Sequence, residues 1–171
     1  MRKLIGTVGL LVASCLAASC GGSAAALKGG GAQELGSNDG VVGRHDHFGL
    51  DGYDVNGDEE VHLLDAKVVG VPDGMEVIEI QAVERKKGDG FAGGWDGDLR
   101  SGLGADLKFV PVEQVVFQPG KNVYQLYYIV VTVKAIRHGE FHTKGLELGW
   151  KAGRRTGTTF FPYKVGLIVR K

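Results

Sequence analysis

The run VYQLYYIVVTV at 123–133 constrains the fold most. It lies in the longest β-rich stretch, Asn122 to Arg137, and is dense in aromatic and β-branched residues. Such side chains fit a pleated strand better than a helix. Both faces are apolar in the middle of the run, so the strand must be covered on both sides. That places it centrally in a sheet, or gives it a bulge.

Strand patterning extends over residues 59–171. His62, Leu64, Ala66 and Val68 fall on one face, with Leu63 and Val69 on the other. Val71-Pro72-Asp73-Gly74 reads as a turn, and Ile78, Ile80 and Ala82 alternate with Glu79 and Gln81 beyond it. The first two strands are therefore expected to form a hairpin. Leu107 to Phe117 is apolar again, with Pro111 marking an edge or bend, and Gln118-Pro119-Gly120-Lys121 is a turn signal. Leu146, Leu148 and Trp150 alternate with Glu147, Gly149 and Lys151. Ala152-Gly153-Arg154 turns the chain, and Phe161, Tyr163, Val165, Leu167 and Val169 line one face of the last strand. No helical period competes after the N-terminus. The expected fold class is all-β: an antiparallel immunoglobulin-like sandwich of about six or seven strands.

The first twenty residues, MRKLIGTVGLLVASCLAASC, have a different character. Arg2 and Lys3 precede an apolar stretch from Leu4 to Ala13, and small residues follow, as in a secretory signal. The apolar stretch is short of the roughly 20 residues a membrane span needs. Both cysteines, Cys15 and Cys20, lie here, so an exported domain would carry no disulfide. A cysteine after small residues and an apolar run resembles the lipobox of bacterial lipoproteins. In that family the cysteine thiol carries lipid and becomes the first mature residue. Val12-Ala13-Ser14-Cys15 has the preferred branched residue, whereas Ala17-Ala18-Ser19-Cys20 has Ala in that place. Cys20 nevertheless leaves a signal of ordinary length (residues 1–19), and Gly21-Gly22-Ser23 follows it. Cys20 is the expected lipidation site and Cys15 the alternative.

Residues 20–58 are rich in Gly, Ala, Ser, Asn and Asp and show no sustained apolar period. They read as a flexible tether leading to a domain at 59–171, with a coil span of roughly 34 Å. Much of the chain's excess of glycine, 29 residues in 171, falls here and in loops. The closing stretch GLELGWKAGRRTGTTFFPYKVGLIV resembles the final hairpin of uncharacterised extracytoplasmic β-domains in bacterial lipoproteins. That resemblance implies a fold and a location but no activity.

Three constellations could carry chemistry. Asp54, Asn56, Asp58, the Glu60 carbonyl and Asp65 have the spacing of a calcium loop, and the segment resembles those of dockerins and EF-hands. Glu59 replaces the glycine that such loops use for their sharp turn, and a turn leading into the first strand is the simpler reading. The pairs His45/His47 and His138/His142 have permissible metal spacings, but the first falls in the tether and the second in a hairpin loop. His62 reads as a core or edge residue. The Gly- and Asp-rich loop at 86–106 holds Phe91 and Trp95 among Asp96, Asp98 and Arg100, a set suited to stacking on a sugar or gripping a peptide.

Other classes lack their signatures. Beyond residue 58 there is no cysteine, and Ser101 is the one serine, outside any Gly-x-Ser-x-Gly elbow. Acidic and basic residues balance at 20 each, so no broad positive field draws nucleic acid. The sequence thus leads to a lipid-anchored extracytoplasmic binding or accessory module without cofactor. Its expected partners are membrane lipid, through the cysteine, and an envelope protein or glycan. A small carboxylate-dependent hydrolase and a calcium-stabilised structural module are the alternatives.

Overall fold

A computed structural model of the chain describes residues 25–29, 31–84, 93–96, 107–120 and 127–171, with 93–96 described through their backbone. The strands are β1 (Leu27–Gly29), β2 (Gln33–Ser37), β3 (His45–Leu50), β4 (Tyr53–Val55), β5 (Val61–Val69), β6 (Met75–Glu84), β7 (Gly93–Asp96), β8 (Lys108–Val110), β9 (Val116–Phe117), β10 (Tyr127–Ala135), β11 (Gly139–His142), β12 (Gly145–Ala152), β13 (Arg155–Phe161) and β14 (Tyr163–Val169). One 3-10 turn, Val112–Gln114, interrupts them. The fold is all-β and sandwich-like. A five-stranded sheet has the order β7-β3-β10-β6-β8, a four-stranded sheet β13-β12-β5-β9, a three-stranded sheet β11-β14-β2 and a small pair β1-β4. All pairings are antiparallel except that of β14 with β2.

The β10 run sits in the middle of the largest sheet. Ile129, Val131 and Val133 point into the main core, while Tyr128 and Val130 join Val83 in a second cluster on the other face, backed by Leu107 and Phe109. A register shift between Thr132 and Val133 adds the bulge. The opposite wall of the core is built by Val61, Leu63, Leu146, Leu148 and Trp150, and β14 contributes Tyr163, Val165, Leu167 and Val169 on one face, as the sequence predicts.

Four expectations are corrected. The first concerns the tether. From Ala25 on, residues 20–58 are not a coil: they form β1 to β4 and send Ala26, Leu27, Phe48, Leu50, Tyr53 and Val55 into the main core. The domain therefore begins well before residue 59. These strands are three to six residues long, too short to display a period, and they pair with distant segments: β2 with β14, and β3 with β10. Gly29 has a packing role, because a Cβ there would meet the Phe161 ring at 2.6 Å and the Tyr163 hydroxyl at 2.7 Å.

The second concerns the expected hairpin. β5 pairs with β12 and β9, and β6 pairs with β10 and β8. The turn after β5 carries the chain from one sheet to the other, with Gly70 and Gly74 both at positive φ. Crossing lets Leu63 and Ile80 face one core from opposite walls, where a hairpin would set them side by side. The third concerns the phase of β5. Its register shifts opposite Gly149 and Trp150, so Val61 and Leu63 point inward while His62 and Leu64 are exposed. Beyond the bulge the phase flips, and Val68 is buried. The strand count also exceeds six or seven, because the N-terminal segment contributes and several strands are short.

Candidate functional site

The bulge in β5 shapes a groove. Trp150 pairs with Leu63 and Gly149 with Asp65, so Leu64 is the extra residue and turns outward. Beside it lie Lys151 at the end of β12, Gly153 in the following turn, and Glu113 in the 3-10 turn, which is tied to β5 by the Leu63 N–H donating to the Val115 carbonyl at 3.0 Å. Together with Glu59, Glu60, His62 and Leu63 they line a concavity of about 650 Å³. That volume lies within the range of small-ligand clefts. The exposed Leu64 gives an apolar base, and the carboxylates, Lys151 and His62 give a charged wall.

The wall is held by local pairs. His62 Nε2 lies 2.8 Å from Glu60 Oε1, and Arg155 Nη2 donates to Glu59 Oε2 at 3.2 Å. Hydrogen bonds from His62, then from Gln118, hold the Glu60 carboxyl below the usual carboxylate range. Gly153 has φ of 56° and packs against the Glu59 carboxylate, so a side chain there would be strained and crowded. The arrangement can orient a polar ligand through charge and seat an apolar portion on Leu64. In the sequence Glu60 enters only through its carbonyl, in a calcium spacing that reads more simply as a turn, and His62 reads as a core or edge residue; nothing local gathers Glu59, Leu64, Glu113, Lys151 and Gly153 beside them. The acidic pair before β5 was legible, but the bulge that exposes Leu64 leaves no local mark.

The calcium-spaced residues are dispersed over different tasks. Asp54 pairs with Lys28 at 3.2 Å, and Asn56 Nδ2 donates to the Ala25 carbonyl. Glu60 takes His62, and Asp65 lies on β5 beside Gly149. Among the described residues no group of three or more His, Cys, Asp or Glu side chains is arranged to hold a metal. Of the aromatic loop, Phe91, Asp98 and Arg100 lie outside the described residues. Trp95 and Asp96 belong to β7, whose backbone pairs them with His47 and Asp46, so this part of 86–106 is strand rather than loop. Ser101, Cys15 and Cys20 also lie outside the described residues.

The histidines separate likewise. His47, expected in a tether, is buried on β3 with Nδ1 2.9 Å from Thr132 Oγ1. Next to it Asp46 is buried and receives Arg44 Nη2 at 3.2 Å. His142 bridges Glu34 on β2 and Glu140 on β11, at 3.0 and 2.9 Å, its ring lying over Gly166. His138 Nδ1 approaches the Arg170 carbonyl. At the core, Tyr53 packs on Phe117, Phe161 and Tyr163, and burial pushes its hydroxyl pKa well above the ordinary value. Apart from His138, which lies in the bend between β10 and β11, these histidines, Asp46 and Tyr53 sit in strands.

Among the described residues no helix is long and apolar enough to cross a membrane. No protein-family model matches the chain, and no curated protein matches it.

Proposed function

We propose that the protein is a lipid-anchored, extracytoplasmic binding or accessory module of the bacterial envelope, without catalysis of its own, that takes its ligand in the groove beside Leu64. The observation that carries the binding part is the groove itself: an apolar base at Leu64 under a wall of Glu59, Glu60, Glu113, His62 and Lys151. Such a mix suits an envelope protein segment or a glycan, where a few polar groups fix orientation and apolar surface supplies affinity. The anchor rests on the signal layout and on Cys20, with Cys15 as alternative. The finer reading of the fold is an immunoglobulin-like sandwich, supported by two antiparallel sheets of five and four strands around one core.

Intact mass of the membrane-extracted protein tests the anchor. A mature chain beginning at Cys20 with a diacylglyceryl adduct is expected, and an unmodified full-length chain would refute it. For the groove, the lipidated protein is purified with its bound partners, and the same is done for Leu64→Arg combined with Lys151→Glu. Loss of the partner from a variant that still melts normally is expected. Retention of the partner would move the site elsewhere.

A further inference from the structure

The distance between the anchor and the fold is far shorter than the composition suggests. Asn56 fixes the start of the described chain: its Nδ2 donates to the Ala25 carbonyl at 3.1 Å and its N–H to the Ala26 carbonyl at 2.8 Å. Ala26 and Leu27 are each 1% exposed. The chain is therefore held in place at Ala25 to Leu27. Between Cys20 and Ala25 there are five peptide steps, which reach at most about 17 Å. Glu59, on the lip of the groove, follows Asn56 by three residues, at most about 11 Å along the chain.

Resting on the reading of Cys20 as the lipidated residue, we infer that the protein is held with its β1–β4 end against the bilayer, so that the groove opens at the headgroup layer. The headgroup region is roughly 6 Å thick on each side. A leash of about 17 Å leaves about 11 Å beyond that layer, less than the length of the domain, so the domain cannot turn its other end to the lipid.

The chemistry of the two ends agrees with this placement. Around the anchor point Lys28, Asp54, Asn56, Gly57, Asp58 and Glu59 are all exposed. This is a hydrophilic face that rests on headgroups without entering the hydrocarbon. At the opposite end, backbone hydrogen bonds from Gly43 to the Ala135 carbonyl and from Ile136 to the Gly74 carbonyl gather three connections. There Val41, Val42, Val71 and Ile136 are exposed. The two ends lie about 23 Å apart along β5, taking 3.3–3.4 Å per residue and no advance at the bulged Leu64. Acidic groups outnumber basic ones near the groove, so electrostatic attraction to anionic lipid does not drive the contact. The covalent leash does.

A consequence concerns the ligand. A molecule presented at the bilayer surface meets the groove at the high effective concentration of a tethered pair, whereas a soluble one does not.

The mature chain has no cysteine beyond Cys20, so an introduced one is a unique label site. Full-length protein carrying Asp58→Cys or Ile136→Cys is lipidated in cells, extracted, labelled with a fluorophore and reconstituted into phosphatidylcholine vesicles containing a headgroup-nitroxide lipid. Quenching at position 58 should exceed that at 136 by at least about threefold, given the roughly 23 Å between the ends. Inserting twenty Gly/Ser residues between Gly22 and Ser23 should erase the difference, because the coil then spans roughly 27 Å. Equal quenching in the unextended protein, with diacylglyceryl confirmed on Cys20 by mass, overturns the placement and leaves the lipoprotein reading intact. A lipid on Cys15, or none, overturns the reading and the placement with it.

Discussion

Residues 25–58 and residues 139–169 both build one core, with six and ten buried residues respectively, yet they look unlike each other in sequence. The C-terminal stretch runs in strands of four to eight residues with clean alternation, and β12 pairs with its sequence neighbour β13. The N-terminal stretch is broken by glycines into strands of three to six residues. Apart from the short β1–β4 pair, its strands find their partners in distant segments: β3 pairs with β7 and with β10, as when Val131 meets Phe48, and β2 pairs with β14, as when Val165 meets Leu35. One region carries its structure locally and the other borrows it. Composition alone therefore mistakes a borrowed strand for a linker.

The sharpest way to break this comparison is to remove the borrowed part. A fragment of residues 59–171 should not fold cooperatively. It lacks Leu27, Phe48, Leu50, Tyr53 and Val55, each worth about 1.5–3 kcal/mol on burial, and their sum approaches the 5–15 kcal/mol stability of a whole domain. A cooperative thermal melt of that fragment, followed by circular dichroism, would restore the tether.

Next in size is a matched pair of point changes. Phe48→Ala and Phe161→Ala should each cost about 3–5 kcal/mol in urea unfolding, because both rings are fully buried in the same core. A tether residue would cost almost nothing, so a silent Phe48→Ala contradicts the equivalence of the regions.

Smaller effects are expected from close packing at glycine. Gly29→Ala in the N-terminal region and Gly157→Ala in the C-terminal one should each cost about 1–3 kcal/mol. The first crowds Phe161, and the second would place a Cβ 2.7 Å from the Trp150 ring, whose Nε1 donates to Thr159 Oγ1. A stabilising effect at Gly29 would mean that β1 does not pack against β13 and β14.

The smallest effect lies at the groove. Glu60 has a folded pKa below its unfolded one, so its pairing adds stability above the unfolded value, and that addition is lost as pH falls through the folded value. Glu60→Gln should therefore lower the melting temperature slightly at neutral pH and leave it unchanged in acid below the folded value. An equal change at both pH values would separate Glu60 from its His62 partner. Leu64→Ser should alter stability by no more than about 0.5 kcal/mol, since the side chain is exposed.

By itself the sequence determined the β class, the central place of the run containing Ile129, Val131 and Val133, the β12–β13 turn and the inward face of the last strand from Tyr163 to Val169. These follow from alternation and turn chemistry, which act within a few residues. Only the tertiary structure decided that β5 and β6 belong to different sheets, that Leu64 is turned outward by a bulge beside Glu113 and Lys151, and that Phe48 and Tyr53 are core residues. Pairing partner and register are set by which apolar faces can close one core together. That condition joins residues far apart in the chain, so no local window contains it.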